Sequence, residues 1–435
     1  MKAIRRIFLV FLVLGGGLAP VSGWTQVDIT VTRTVDQRIS LAVVGLAPFQ
    51  FESGGTDLAA QAHSILLDDL EFSTIFEVLP PSFLPFDARE IQLGKEDGVL
   101  PPLNKLKIQA MVAAQLTKQG NDLILEGRVY NVARGTFLGG KRYFGNAKAL
   151  RTMVHRLADE VVVRLTGERG IATTRIAYAS KGHRATELYL MDYDGHNSVL
   201  VTGNRSINLS PRFSPDGKLL AYTSYRDGNP DLYVLDLGTG RRDKVSALPG
   251  LNIAPAWSPD GQWLAVSLSK DGGTNLYLMR PMGMGLRRLT NGIGISVSAS
   301  FSPNGRQIAF TSDRGGSPQV YMIDIEGTNL QRLTFKGDYN ASPQWSPRGD
   351  KIAYISNQAG NAFQVYLMNP DGSGAQQMTT LGSNEDPAWS PDGRHLVFTS
   401  TRGGKKDIYV MHADGSGQRR LTRNGVNNFA PDWSY

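Results

Sequence analysis

The chain has 435 residues, no cysteine, and 46 Lys and Arg against 39 Asp and Glu. That length leaves room for two domains, and the missing cysteines exclude a disulfide framework, so an exported form rests on core burial. The formal charge of +7 includes Lys2, Arg5 and Arg6 at the start, and no Lys/Arg cluster interleaved with aromatics follows, which gives no warrant for nucleic-acid binding.

Residues 1–23 read as a secretory signal. The basic start precedes an apolar run from Ile7 to Leu14, and small residues including Val21 and Gly23 stand before Trp24, where a signal peptidase would cut. The run is too short to span a bilayer. Cleavage and release are expected, with no lipidation cysteine to hold the chain.

Residues 38–165 read as a small α/β domain. Residues 39–44 are a strand-like run, and 56–70 put Leu58, Ala62, Ile65, Leu66 and Leu70 on one helical face, with Thr56 or Asp57 as cap. The Pro- and Gly-rich stretch 80–106 is expected to be an irregular connection. Strands follow at 108–117, 123–132 and 136–144, with tight turns at Gly120-Asn121 and Arg134-Gly135. Residues 147–165 form a helix with Leu150, Met153, Leu157, Val161 and Leu165 inward, stopped by Thr166-Gly167. Residues 166–174 are expected as a linker.

From residue 175 the chain repeats. An aromatic–Ser motif stands at Ser214, Ser258, Ser302, Ser346, Ser390 and Ser434, every step 44 residues, reading FSPDG, WSPDG, FSPNG, WSPRG, WSPDG and WSY. A second column, Ala221, Ala265, Ala309, Ala353 and Val397, keeps the same phase and extends back to Ala177. A fixed period of this size marks one supersecondary unit arrayed on itself. Within 301–334 the unit reads as four strands near 299–302, 307–312, 319–324 and 331–334, joined by a Pro-Asn-Gly turn and a Glu326-Gly327 hairpin. The first unit lacks its first strand and the last consists of little else, so 428–434 should complete the blade opened by 175–180. The fold class is an α/β N-terminal domain followed by an all-β six-bladed β-propeller over 175–435.

A propeller attached to a hydrolase would need a Gly-x-Ser-x-Gly nucleophile elbow, and the chain has none. The glycine pairs at 272–273 and 315–316 open no helix and read as turns, not phosphate cradles. Among the six histidines only His155 has an i,i+4 helical partner, Asp159, and two residues do not make a metal site. Neither a metal nor a cofactor is expected. A protein-binding scaffold and a ligand or glycan sensor using the central channel remain as the two function classes.

The run LRTMVHRLADEVVVRLTGERGIATTRIAYAS (150–180), the SPDG repeats after it and the PDW near the end resemble the TolB family, periplasmic propeller proteins of the Tol–Pal envelope system of Gram-negative bacteria. The resemblance covers essentially the whole chain after residue 23. It implies a non-enzymatic periplasmic scaffold that binds the peptidoglycan-associated lipoprotein Pal through the propeller. It also implies a mobile N-terminal segment, here 24–37 with Val27, Ile29 and Val31, that binds the inner-membrane protein TolA. Outer-membrane integrity and envelope constriction at cell division are the implied roles, with membranes touched through partners only.

The loops leading into the inner strands line one mouth of the channel. The position six before each motif Ser reads Asn208, Asn252, Ser296, Asn340, Asn384 and Asn428, a uniformity expected of a structural turn. Recognition is expected from columns that differ between blades. These supply Leu251, Val297, Tyr339, Glu385 and Phe429, with Asn252 and Ala254 beside them. The loops between second and third strands are expected on the same face, where Arg226, Arg314 and Arg402 read as a basic surround steering an acidic partner.

Overall fold

Two tight turns and two parallel connections build the first sheet. Strands β1 (Ile39–Gly45), β2 (Phe76–Val78), β3 (Ala110–Gln119), β4 (Asp122–Asn131) and β5 (Thr136–Asn146) lie in the order β2-β1-β3-β4-β5. β1 runs parallel to both neighbours, whereas β3, β4 and β5 form an antiparallel meander. The computed structural model describes residues 38–46, 57–88, 91–292 and 294–434. The expected signal and the segment holding Val27, Ile29 and Val31 lie outside the described residues.

Helix α1 (Leu58–Phe72) begins at Asp57, whose Oδ1 accepts from the Ala59 and Ala60 amides at 3.0 Å. Thr56, the other candidate cap, lies outside the described residues. The stretch 80–106 is more than an irregular connection. It holds 3₁₀ turns at Pro81–Phe83 and Glu96–Gly98 and helix α2 (Leu100–Lys105), and its Leu84, Val99, Leu100 and Leu103 cover one face of the sheet against Ala42, Val44 and Met111. Its helical pieces are too short to display a 3.6-residue period, as β2 is too short to display alternation. Helix α3 (Leu150–Thr166) follows a 3₁₀ turn at Ala147–Ala149, where Asn146 caps the Lys148 amide, and ends at Gly167 with φ 75°. α1 and α3 pack together on the opposite sheet face.

Six four-stranded sheets follow. In the third blade the strands are Ser296–Phe301, Gln307–Ser312, Gln319–Asp324 and Gln331–Arg332. The first begins earlier than expected because a β-bulge between Val297 and Ser300 puts Ser298 at φ 55° and breaks the alternation that marks a strand. The fourth stops short of Thr334, whose Oγ1 accepts from the Val320 amide at 2.9 Å. The repeated SPDG motif staples its own turn. Ser214 Oγ donates to Asp216 Oδ1 at 2.6 Å and accepts from the Leu219 amide at 2.9 Å, and Ser258 and Ser302 do likewise.

The sixth sheet contains β6 (Arg175–Lys181), β7 (Thr186–Asp192) and β8 (Val199–Leu200). Its innermost strand is Asn427–Ser434, in register Asn428↔Ser180 and Trp433↔Ile176. Residues 166–174 are no loose linker, since Ile171, Ala172 and Thr174 are buried and Asp159 accepts from the Ala172 and Thr173 amides at 2.8 and 3.0 Å. Asp159 is thereby committed to that stretch and makes no pair with His155.

One apolar core runs from the α1/α3 layer into the propeller, joining Leu157 and Phe72 to Tyr178, Tyr193, Val397 and Trp433. The Phe72 ring stacks 4.2 Å from His395, its carbonyl accepts from His395 Nε2 at 2.6 Å, and the Arg419 guanidinium lies 4.1 Å over the ring. Arg394, beside the fifth SPDG turn, pairs with Glu168 at 2.6 Å. The α/β domain therefore sits on the face of the SPDG turns. The loops entering the inner strands open on the opposite face.

Candidate functional site

The entry face is organised by a buried amide column. Asn208, Asn252, Asn340, Asn384 and Asn428 are all 0% exposed. Asn340 and Asn384 donate to Gln319 and Gln364 of the preceding blade at 2.8 and 2.9 Å, while Asn252 Oδ1 accepts from Ser246 Oγ at 2.6 Å and from the Leu248 amide at 3.0 Å. These bonds fasten each entering loop to the blade it leaves. Asn252 is accordingly corrected from a contact residue to a structural one, because its polar atoms are spent inside the fold.

Of the apolar candidates, Tyr339 is 38% exposed and meets Phe363 edge-on at 5.1 Å. Leu251, Val297 and Phe429 are half-buried, and Phe429 leans on the cluster of Ala177 and Leu188. Glu385 is engaged by Lys406 at 2.7 Å. Ala254 is the bulge residue of its inner strand, at φ 51°. The most exposed apolar side chains of the entry loops, Phe335 at 73% and Leu381 at 64%, lie outside the columns read from the sequence, while Ile207 and Ile295, in the column of Leu251 and Tyr339, are exposed as well. Their signal was present. Phe335 and Leu381 follow closely on the Thr that ends a blade, where other blades carry Gly203, Asn291 and Arg423.

The expected basic surround is corrected. Arg314 folds back onto Ser312 Oγ at 3.0 Å and Ser296 Oγ at 3.1 Å, over the Phe310 and Tyr321 rings. Arg402 does the same with Ser400 Oγ at 2.9 Å and Asn384 Oδ1 at 3.0 Å, over Phe398 and Tyr409. Burial lowers the pKa of both guanidinium groups. They pin blade ends and are not rim charges. Arg226 is exposed, with Asp227 at 3.6 Å, and Lys270 pairs with Asp271 at 2.7 Å. Neighbouring aspartates thus offset two of the four charges, Arg226 and Lys270, while Arg314 and Arg402 are drawn back from the rim.

Each inner strand carries its bulge residue in the left-handed region: Ser210, Ala254, Ser298, Ser342, Asp386 and Ala430, at φ 51–55°. Such backbone persists only where neighbours over-determine it. Here the Ser342 and Ala430 amides donate to Thr311 and Thr399 of the preceding blade at 3.0 and 3.1 Å. At the SPDG end the channel widens into a cavity of about 330 Å³ lined by Arg212, Ser300, Gln344, Trp345 and Asp432.

Burial pushes the Asp432 carboxyl up to about 6, against the pull of Arg212 at 3.7 Å and the Phe213 amide at 2.8 Å. Because the folded pKa lies above the unfolded one, the native state holds the extra proton between about pH 4 and 6. This group's stabilising contribution is therefore complete below about pH 4 and lost as pH rises through 6, by at most about 3 kcal/mol. The melting temperature of Asp432→Asn minus that of the wild type should grow more positive from about pH 4.5 to 7.5. A flat difference would mean that the carboxylate is ionised throughout.

Comparison with known proteins matches residues 27–138 to the TolB amino-terminal domain and residues 162–435 to the TolB beta propeller domain. The Tol-Pal system protein TolB of Syntrophus aciditrophicus is 36% identical over 213 residues, covering 48% of this chain and 47% of the relative. That of Geobacter sulfurreducens is 44% identical over 170 residues, covering 38% and 39%. In these matches the chain spans less than half the length of the curated relatives. The crystal structure of TolB from Acinetobacter baumannii aligns with a TM-score of 0.75 at 30% identity, over 92% of this chain and 97% of that one. With both family domains present in this order and the whole architecture shared, the chain belongs to the TolB family of the Tol–Pal system.

Proposed function

We propose that the chain works in the periplasm as a non-enzymatic scaffold. It binds a Pal-like peptidoglycan-associated lipoprotein through the entry face of the propeller and a TolA-like inner-membrane protein through residues 24–37. The observation that carries this reading is the exposure of Phe335, Leu381, Tyr339, Ile207 and Ile295 in loops entering the inner strands, on the face the α/β domain leaves open. Large apolar groups exposed together on one face suit a protein partner better than water. A scaffold holding both partners would couple the inner membrane to the peptidoglycan-bound outer membrane, which fits a role in envelope integrity and constriction at division.

Surface-plasmon kinetics against the soluble domain of the lipoprotein test the face. Phe335→Ala and Tyr339→Ala should each cost about 2 kcal/mol of binding, chiefly through faster dissociation. If both variants fold and bind with wild-type kinetics, the interface lies elsewhere.

A further inference from the structure

We propose that His155, Asp192 and Asp194 form a binding site for a divalent d-block cation of the Zn²⁺ class, built across the seam between the α/β domain and the propeller. His155 comes from α3. Asp192 ends β7, and Asp194 stands in the hairpin turn that follows. One ligand atom from each of the three lies within 4.8 Å of the other two.

The imidazole itself points to a missing partner. The His155 side chain is 3% exposed, its Nδ1 is held by Asp69 Oδ2 at 2.7 Å, and its buried Nε2 has no hydrogen bond. With the Asp69 carboxylate accepting from Nδ1, Nε2 faces Asp194, whose Oδ2 is 3.4 Å away; against the effect of burial, the two carboxylates raise the imidazole pKa to about 9, so a bound cation takes the place of the Nε2 proton. That separation makes no hydrogen bond here. It matches the edge of a coordination tetrahedron, since two ligands about 2.1 Å from a tetrahedral centre stand about 3.4 Å apart. A carboxylate on the far nitrogen is the arrangement that orients metal-bound imidazoles.

Charge and ligand type agree with this. Asp69, Asp192 and Asp194 gather three carboxylates around the imidazole, and Arg151 donates to the Asp194 Oδ2 that faces it, so a bound cation would share that oxygen with the guanidinium. Asn197 occupies one oxygen of Asp192 at 2.6 Å and leaves the other available. His196, exposed, with Nδ1 3.2 Å from Asp194 Oδ1, stands at the solvent edge outside the cluster, which leaves the remaining coordination positions to water. An imidazole with two carboxylate oxygens suits Zn²⁺ and its d-block neighbours, whereas Ca²⁺ and Mg²⁺ take all-oxygen sets. A bound ion would staple α3 to the propeller hairpin.

The test is calorimetric titration of the chelator-stripped chain from residue 24 onward with ZnCl₂, together with the visible spectrum on adding Co²⁺. The expected result is a single saturable Zn²⁺ site at micromolar concentration or below, with a tetrahedral-intensity Co²⁺ spectrum. Binding should be lost in His155→Gln and weakened at least tenfold in Asp192→Asn, while Asp69→Asn, which unseats the imidazole, should weaken it about 10–100-fold. Asp192 sits at the hairpin edge, so its variant remains informative even where His155→Gln fails to fold. Absence of saturable binding in the wild type overturns the proposal. So does wild-type affinity in Asp192→Asn, which would assign the ion to surface histidines such as His183.

Discussion

A chain ended at Val426 should melt at least about 10 °C below the intact one. The deletion removes Asn427–Ser434, the innermost strand of the sixth blade, and with it the pairing of Asn428 with Ser180 and of Trp433 with Ile176. Trp433 is 6% exposed and donates from Nε1 to Thr174 Oγ1 at 2.7 Å, so its loss alone corresponds to about 3–5 kcal/mol. At about 2 °C per kcal/mol for a domain of this size, that term supplies about 6–10 °C of the shift, and the lost strand pairing adds the rest. The cut also bares the edge of β6, a template for aggregation that ring closure otherwise covers. Melting within a degree or two of the full chain would show that the ring is held by inter-blade packing without its closing strand.

Phe72→Ala should cost about 3–5 kcal/mol and loosen the α/β domain from the propeller. The ring is 7% exposed and lies between His395 and Arg419. Arg419 Nε and Nη2 are buried without hydrogen bonds, so removing the ring leaves a desolvated cation facing a cavity. Thermal melting gives the cost, and limited proteolysis within 166–174 reports the seating, since Ile171 and Ala172 are buried only while the two parts stay together. A change below about 1 kcal/mol with that stretch still protected would show that the seam does not depend on Phe72.

The sequence by itself determined the propeller, because five of its six blades are built from contacts that are local or one period away, and the incomplete units at the two ends identify the sixth. The Ser of each SPDG turn bonds its own turn, and the same residues return every 44 positions, so spacing alone gives the blade register and identifies the incomplete units at either end. The helices and hairpins of residues 38–165 were legible for the same reason, except where pieces as short as β2 and α2 carry too few residues to show a period. What only the tertiary structure decided is which polar and charged columns face solvent. Asn252, Arg314 and Arg402 look like surface residues in a chain of letters, yet each is used inside the fold, by Ser246, Ser296 and Asn384 respectively. The seating of the α/β domain depends on contacts between positions far apart in the chain, such as Phe72 with His395 and Asp69 with Tyr193. The same holds for His155, whose helical neighbour Asp159 is taken by the Ala172 amide while Asp69 and Asp194 approach from elsewhere. No periodicity encodes such meetings, because they are set by where whole elements pack and not by the spacing within any one of them.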